Sequence, residues 1–175
     1  MGQDFSNIGR SDEHLHTQQA IALAQRICDQ AHADQFDKAG RPYVEHPRRV
    51  ASYVAAQNVS AIMAALLHDV LEDTDLTAAD LAQAGIPDEV IATVELLTRS
   101  AEVSDEEYYR RIAAHSDALE VKLADLADNT DPARLAQLPP HDQAWLTAKY
   151  DSAYARLGVA SADGERRRRG PGAQP

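Results

Sequence analysis

Four side chains in three separate segments of the sequence belong to the types that bind divalent metal ions. His68 and Asp69 are adjacent and end a markedly apolar stretch, whereas His46 stands directly before Pro47. Asp125 stands among leucines and alanines, where a carboxylate needs a cation or several hydrogen-bond donors. Two imidazoles and two carboxylates suit Mn²⁺, Fe²⁺ or Zn²⁺ and leave coordination positions open for water and phosphate. These residues therefore predict a metal centre.

An acidic pair, Glu72 and Asp73, follows His68 and Asp69 closely. In a helix, Glu72 lies four residues after His68 and three after Asp69, so the three side chains share one side. A carboxylate beside a bound metal can accept a proton from water, as the hydrolysis of a phosphate ester requires. A His-Asp pair by itself more often marks only a helix end with a solvated imidazole. The placement of the other two candidate ligands and the coherent ligand chemistry favour the metal interpretation.

The elements that must position these residues are predicted to be helices, because Ala and Leu are plentiful and no strand pattern stands out. Residues 61–71 are apolar around most of a helix circumference, which is typical of a central buried helix. Ser60 is the expected N-cap of that helix, and Thr77 that of a later one. The other expected helices cover residues 17–35, 47–57, 78–85, 87–98, 105 onward, 117–129 and 142–157. We therefore expect an all-α fold, a single compact bundle of about eight helices.

The chain is long enough for one domain with a buried core, and we expect that domain to occupy residues 17–160. Residues 1–16 are polar and are expected to be loose. Residues 161–175 are rich in Gly and contain four consecutive arginines, Arg166 to Arg169. This composition predicts a disordered basic tail.

Composition and sequence pattern also argue against several kinds of partner and against disulfides, membrane spans and a signal peptide. A formal net charge of −11 argues against nucleic acid and anionic membranes, because their phosphates would be repelled. The single cysteine, Cys28, rules out a disulfide within the chain. No apolar run approaches the roughly 20 residues that span a bilayer, and the N-terminus lacks the order of a signal peptide. We expect a cytoplasmic protein without nucleic-acid or membrane partners, with its oligomeric state left open.

Three sequence motifs resemble those of a known protein family. They are KAGRPYVEHP at residues 38–47, ALLHDVLEDT at residues 65–74 and VKLAD at residues 121–125, which continues to Asn129. In this order they resemble the hydrolase domain of the RelA/SpoT proteins, which are HD-domain phosphohydrolases. The chain is also similar in size to their stand-alone forms, the small alarmone hydrolases, which include the metazoan SpoT homologue. The resemblance covers roughly residues 17–157 and leaves no room within them for a synthetase domain.

The resemblance implies an HD-domain helical bundle that hydrolyses the 3′-pyrophosphate of (p)ppGpp, releasing pyrophosphate and GDP or GTP. Lys38 matches a contact to a substrate phosphate and Asn129 a contact on the nucleoside side. Tyr150, matched by its spacing from Asn129, is a further substrate contact. The implied Mn²⁺ ligands are His46, His68, Asp69 and Asp125, and the implied pair that orients and deprotonates the attacking water is Glu72 and Asp73.

Asp37 departs from the family pattern, which has at this position an arginine that stacks on the purine. We expect an anion beside a nucleotide to weaken purine binding and to alter the choice of base. Arg134 also stands further along the chain than the family's usual arginine. One alternative is therefore an HD phosphohydrolase acting on another nucleotide, such as an adenosine alarmone of the ppApp type, NADPH or a nucleoside monophosphate. The other is a nucleotide-binding regulator without turnover, against which the intact Glu72-Asp73 pair argues.

The remaining prominent side chains are given structural interpretations. Trp145 and the adjacent Tyr108 and Tyr109 are expected to be core residues or walls of a substrate site. His32 is expected to be structural and to support the loop around residue 38. Cys28 falls on the apolar face of its helix and is predicted to be an inert core thiol.

Overall fold

Helices form the regular structure of the described chain. The computed structural model describes the backbone of residues 6–170 and the side chains of residues 14–170. Within those residues, the only β contact is a single bridge between Phe36 and Pro42, and no helix combines the length and apolar character that crossing a membrane requires. The helices are α1 (Ser6–Ala31), α2 (Glu45–Ser52), α3 (Val59–Leu67), α4 (Val70–Asp73), α5 (Ala78–Ala84), α6 (Asp88–Leu97), α7 (Asp105–Ala113), α8 (Ser116–Asn129), α9 (Pro132–Leu135), α10 (Pro140–Arg156) and α11 (Ala162–Arg169). The predicted all-α fold is confirmed; the three helices beyond the eight expected are the single turns α4 and α9, and α11.

Helix α3 is the centre of the bundle, as its apolar sequence predicts. It packs against α1, α2, α6 and α8. Its buried residues are Ala61, Met63, Ala64, Ala65, Leu66 and Leu67. Burial of one Leu or Met side chain contributes about 1.5–3 kcal/mol to folding. A helix held on several sides is a rigid support for the residues at its end.

The N-terminus of α3 is capped by Asn58, whereas the sequence predicts Ser60. Asn58 Oδ1 accepts a hydrogen bond of 3.1 Å from the backbone N–H of Ala61. Its Nδ2 donates to Asp117 and Glu120 of α8. The prediction of Ser60 is wrong because the Asn58 amide both caps α3 and ties it to a distant helix, and local sequence patterns do not show that contact.

The predicted helix over residues 61–71 is interrupted near its end. Helix α3 stops at Leu67, and His68 and Asp69 form a short joint before α4. The backbone N–H groups of Glu72 and Asp73 donate to the carbonyl oxygen of Asp69, at 3.2 and 2.8 Å. The chain therefore starts a new helical turn just after the His-Asp pair.

Helix α5 has both of the ends that its sequence predicts. Thr77 Oγ1 accepts a hydrogen bond from the backbone N–H of Asp80, and Asp80 Oδ2 accepts one from that of Thr77. This reciprocal pair is a capping box. Gly85 ends the helix with a φ of +94°, a conformation that residues with a Cβ adopt only with strain.

The expectation of a loose N-terminal segment over residues 1–16 is wrong for residues 6–16, because α1 begins at Ser6. Residues 1–5 lie outside the described residues. Within α1, the side chains of His14 and Gln18 lie 2.9 Å apart, Nε2 to Nε2. A pair spaced four residues apart supports a helix whose residues are individually polar.

The expectation of a disordered tail is wrong for residues 162–169, which form α11. Asp163 pairs with Arg166 and Arg167, three and four residues further on, at 2.8 and 2.7 Å. Arg168 donates a hydrogen bond of 2.5 Å to the carbonyl oxygen of Ala127 in α8. The acidic partners and this contact hold the arginine run in the fold; residues 171–175 lie outside the described residues.

Candidate active site

One cavity of about 420 Å³ brings the four predicted metal ligands together. His46 comes from the first turn of α2, His68 and Asp69 from the joint between α3 and α4, and Asp125 from α8. The ligand atoms of the first three lie within 4.8 Å of one another, and Asp125 Oδ1 lies 3.3 Å from His46 Nε2. We call these four residues the cavity floor, because His46, His68 and Asp125 are at most 5 % exposed.

The joint between α3 and α4 explains how two consecutive residues face one point. On an uninterrupted helix, neighbouring side chains point about 100° apart. In the joint, Asp69 has φ −100° and ψ −6°, away from ordinary helical values. His68 Nε2 consequently lies 2.9 Å from Asp69 Oδ2. The interruption of the predicted helix thus allows the side chains of both residues to face one ion.

Each floor imidazole is oriented through its Nδ1 atom. His46 Nδ1 lies 2.7 Å from Asp128 Oδ2, and His68 Nδ1 lies 2.8 Å from the carbonyl oxygen of Ala65. A carbonyl oxygen can only accept, so neutral His68 carries its proton on Nδ1 and presents an unprotonated Nε2 to the cavity. Metal-binding histidines are held in this way in most proteins.

The donor atoms of the floor fit a divalent cation. With its proton on Nδ1, buried His68 Nε2 makes no hydrogen bond among the described residues, although Asp69 Oδ2 lies 2.9 Å away; two acceptors that face each other in a buried site are costly without a cation. His46 Nε2 and the carboxylates of Asp69 and Asp125 stand beside it. Two imidazole nitrogens and two carboxylates match the preferences of Mn²⁺, Fe²⁺ and Zn²⁺.

The electrostatics of the floor favour a cation as well. Burial lowers the pKa of His46, but hydrogen bonds with Asp125 and Asp128 outweigh it and raise that pKa to about 9. Burial opposes ionisation of Asp125, but Lys122 and the two imidazoles outweigh it and hold the pKa of Asp125 well below its usual range. Asp125 therefore keeps its negative charge at neutral pH, where a cation can use it.

Asp128 belongs to the site, although the sequence analysis did not assign it a role. Its fully buried carboxylate contacts His46, accepts a 2.7 Å hydrogen bond from Arg49 Nε and pairs with Arg134. Burial alone raises the pKa of Asp128, but His46 and Arg49 outweigh it and lower the value. A sequence signal was present: Asp128 lies three residues after Asp125, on the same side of α8.

Tyr43 and Lys122 are two more partners of the floor that the sequence analysis did not assign. Tyr43 Oη donates a 2.5 Å hydrogen bond to Asp69 Oδ2. Lys122 Nζ donates a 2.8 Å hydrogen bond to Asp125 Oδ2. Such partners fix the orientation of ligand carboxylates. Only Lys122 left a pattern in the sequence, three residues before Asp125.

The two members of the predicted acid pair have different positions. Glu72 lines the cavity, and its Oε2 accepts a 3.0 Å hydrogen bond from the backbone N–H of Arg99. Asp73 is not among the described residues that line the cavity. Its carbonyl oxygen accepts a 2.8 Å hydrogen bond from Gln35 Nε2. The structure therefore brings Glu72 to the site, and the role of Asp73 stays a prediction.

The three predicted substrate contacts, Lys38, Asn129 and Tyr150, all line the cavity. Asn129 Nδ2 donates a 2.5 Å hydrogen bond to Asp125 Oδ1, so part of its amide serves the floor. Burial, and then the charge of Asp125, raise the pKa of Tyr150 to about 12, so its hydroxyl is neutral at physiological pH. Contact of these residues with substrate stays a prediction.

Asp37 is the residue that departs from the family pattern. Its carboxylate is occupied by contacts within the protein. Its Oδ1 accepts hydrogen bonds from the backbone N–H groups of Ala39 (2.8 Å) and Arg41 (2.9 Å). Its Oδ2 lies 3.5 Å from Arg134. Burial opposes ionisation, but these partners outweigh it and lower the pKa of Asp37. The carboxylate is thus balanced by donors and holds the loop that carries Lys38.

Cationic side chains concentrate on the cavity wall, although the chain has a net charge of −11. The lining cations are Lys38, Arg41, Arg99, Lys122, Arg134 and Lys149. Burial, and then the charges of Lys122 and Arg99, lower the pKa of Lys149. The wall therefore favours an anionic ligand. We call four of the exposed lining residues, Phe36, Lys38, Trp145 and Lys149, the cavity mouth.

The residues with structural interpretations divide between core and cavity. His32 is fully buried, and its Nδ1 lies 2.7 Å from Gln35 Oε1, in the loop that it was expected to support. Cys28 is buried, and burial raises its pKa to about 12, as an inert thiol requires. Tyr108 and Tyr109 are buried yet line the cavity. Trp145 lies at the mouth.

Comparison with known families decides where the chain belongs. A family model described as HD domain matches residues 20–164. The chain belongs to the HD domain family. Membership of this family implies dependence on a divalent metal, in agreement with the His and Asp cluster of the floor.

Curated relatives of this HD domain carry names from alarmone metabolism. A Haemophilus influenzae protein named guanosine-3′,5′-bis(diphosphate) 3′-pyrophosphohydrolase is 39 % identical over 124 residues, which cover 65 % of this chain and 18 % of that protein. A probable GTP pyrophosphokinase of Mycobacterium leprae is 33 % identical over 159 residues, covering 81 % and 20 %. The bifunctional (p)ppGpp synthase/hydrolase SpoT of Escherichia coli is 32 % identical over 153 residues, covering 79 % and 22 %. The HD domain chain thus spans about a fifth of the length of these relatives.

A solved structure has the same fold as this HD domain. The structure of a metazoan ortholog of SpoT superposes with a TM-score of 0.66, covering 86 % of this chain and 96 % of that one. The two sequences are 23 % identical. The likeness confirms the helical HD-domain architecture.

Proposed function

We propose that this HD domain chain is a metal-dependent phosphohydrolase that removes the 3′-pyrophosphate of (p)ppGpp, yielding pyrophosphate and GDP or GTP. The observation that carries the proposal is the content of one cavity, which combines a floor of metal-ligand side chains, the Glu72 carboxylate and a wall of cations. The names of the curated relatives support this choice of substrate.

The floor residues would hold the metal through Nε2 of His46 and His68 and through the carboxylates of Asp69 and Asp125. We propose Mn²⁺, which the RelA/SpoT resemblance implies, with Fe²⁺ and Zn²⁺ as alternatives. When bound, the cation supplies positive charge that stabilises the charge developing on the phosphoryl oxygens.

Glu72 is the proposed base of the reaction. A water oxygen bonds to the phosphorus attached to the ribose 3′ oxygen, and the bond from that phosphorus to the 3′ oxygen breaks. Glu72 accepts the proton of the water, since its carboxylate lines the cavity and is fixed by the Arg99 backbone. The 3′ oxygen needs one proton to leave as a hydroxyl, and protonated Glu72 or its neighbour Asp73 can donate it.

The cations of the wall suit a substrate that carries phosphate groups at two positions of one ribose. Arg99 is held on several sides, since its guanidinium carbon lies 4.0 Å from the centroid of the Tyr108 ring, its Nη2 donates to Tyr109 Oη at 3.1 Å and its Nη1 pairs with Asp105. A guanidinium held in one orientation binds phosphate at little further entropic cost. A small nucleotide is favoured over nucleic acid, because the acidic surface outside the cavity repels a long chain of phosphates.

The test is a product analysis of the Mn²⁺-loaded protein with ppGpp, pppGpp, ppApp, NADPH and nucleoside monophosphates. We expect pyrophosphate and GDP from ppGpp, loss of turnover after chelation and recovery when Mn²⁺ is returned. The same series with Fe²⁺ and Zn²⁺ tests the choice of metal.

Two other results would replace the proposal. Orthophosphate from NADPH or a monophosphate, with ppGpp untouched, would assign the site to another nucleotide. Binding of ppGpp without turnover under any of the three metals would make the chain a regulator instead of an enzyme.

A further inference from the structure

Trp145 is the only tryptophan of the chain, and its placement is unusual. Its side chain is 53 % exposed, although it lines the same cavity as the buried floor. In residues 14–170 the exposed large hydrophobic residues are Leu15, Phe36 and Trp145, and two of these three belong to the cavity mouth. Single exposed apolar residues need no explanation, but two aromatic ones at the edge of one cavity mark a binding surface.

Two ammonium groups approach the Trp145 ring from different elements. Lys38 Nζ, from the loop between α1 and α2, lies 5.3 Å from the ring centroid, and Lys149 Nζ, one turn further along α10, lies 5.5 Å away. Both distances are within the range of a cation–π contact. The mouth therefore offers an aromatic plane directly beside positive charge, and a nucleotide presents the matching groups, a flat base next to phosphates.

The cavity has a buried end and a solvent-facing end. The metal-ligand atoms lie at the buried floor, whereas Trp145 lies at the solvent-facing edge. A substrate whose reacting phosphate reaches the floor therefore places its far end at the mouth. For a nucleotide, that far end includes the base.

Other groups of the cavity are poorly suited to stack on a base. The carboxylate of Asp37 is engaged by backbone N–H groups and Arg134. Tyr108 and Tyr109 are at most 6 % exposed, so their rings offer almost no surface to a base. Of the two exposed aromatic residues of the mouth, Phe36 and Trp145, Trp145 is the one whose ring lies beside the lysine ammonium groups.

We propose that Trp145 is the platform on which the purine base of the substrate stacks. This inference rests on the proposed function for the nature of the substrate, a purine nucleotide. Trp145 acts on binding and specificity, because it lies at the mouth, away from the floor where the phosphorus–oxygen bond is broken.

The single tryptophan makes the test direct. With Mn²⁺ at a fixed concentration, so that quenching by the ion is common to all samples, the tryptophan fluorescence of the wild-type protein is titrated with GDP and with inorganic pyrophosphate. We expect GDP, which carries a base, to quench or shift the emission. Inorganic pyrophosphate should leave it nearly unchanged.

Variants separate stacking from a structural role. Trp145→Leu is expected to weaken GDP binding about tenfold or more, with inorganic pyrophosphate affinity changed less than about twofold. In turnover of ppGpp its KM should rise about tenfold with kcat within about twofold, because the lost contact is the same in ground and transition states. Trp145→Phe should restore most of the affinity. The matched control is Thr147→Ala, an exposed residue of the same helix beside a different cavity.

The outcomes distinguish this inference from the proposed function. If ppGpp is hydrolysed but GDP leaves the emission unchanged, or Trp145→Leu weakens GDP and pyrophosphate equally, the stacking platform is wrong and the enzyme assignment stands. If ppGpp is not hydrolysed but GDP quenches the emission and its binding depends on Trp145, the platform stands and the substrate assignment fails.

Discussion

The floor and the mouth of the cavity are built in different ways. The floor residues His46, His68 and Asp125 are almost completely buried, and each has a hydrogen-bond partner. They come from helices that pack around α3. The mouth is exposed and combines a loop residue, Lys38, with residues of α10 that are spaced one helical turn apart.

This difference indicates which residues of the cavity can be exchanged during evolution. A buried charge with fixed partners cannot be exchanged without leaving another group unpaired. An exposed side chain at the mouth can change at small cost to stability. Under the proposed function, the floor therefore sets the chemistry, and the mouth is where the choice of nucleotide can vary.

The largest effect that would test the comparison is expected from Asp125→Asn. Removing a ligand charge from the floor, and a partner from the buried Lys122, should lower both metal content and kcat, the latter by more than about 10³-fold. Metal analysis of the purified protein and initial rates measure the two. Asp151→Asn, on α10, is the control. An active Asp125→Asn enzyme with full metal content would overturn the ligand assignment.

Glu72→Gln should separate metal binding from water activation. Loss of the base is expected to lower kcat about 10²–10⁴-fold, while metal content stays at the wild-type level. The matched control is Glu95→Gln, an exposed residue of α6 outside the cavity. A Glu72→Gln protein that turns over normally would move the role of base to Asp73.

A smaller effect is expected from Asp128→Asn, which changes a partner of the floor but no ligand. The His46 ring loses a charged acceptor, and Arg49 and Arg134 lose their shared carboxylate. Metal affinity should fall about 10–100-fold. Titration of the metal-free protein with Mn²⁺ measures this change, and circular dichroism reports whether the helices remain. Unchanged Mn²⁺ affinity would show that Asp128 has only a folding role.

The smallest effect is expected at the loop below the mouth, in a pair of variants of Asp37. Asp37→Ala removes the acceptor of two backbone hydrogen bonds and should raise KM about three- to tenfold, since Lys38 loses its fixed position. Asp37→Asn keeps a side-chain oxygen for those bonds and should have a KM close to wild type. Equal KM values for the two variants would contradict the role given to this loop.

The sequence predicts the buried parts of the molecule better than it predicts contacts between segments that are distant in the chain. The helical class, the central helix and the residues of the floor could be recognised, because burial forces apolar periodicity and makes a buried charge conspicuous. The Asn58 cap and the hydrogen bond of Tyr43 to Asp69 could not, since both join segments distant in sequence. Whether the negative charge of Asp37 is balanced by other groups could not be predicted either. The donors that balance it come together only in the folded chain.

The joint between α3 and α4 has a consequence for tolerance to insertion and deletion. Short non-helical segments between helices are usually the places where a chain accepts an extra residue. Here one residue added between Leu67 and Glu72 would turn α4 by about 100° relative to α3 and carry the carboxylate of Glu72 away from the cavity. The joint should therefore be as fixed in length as the interior of a helix, although it is a turn that belongs to neither helix.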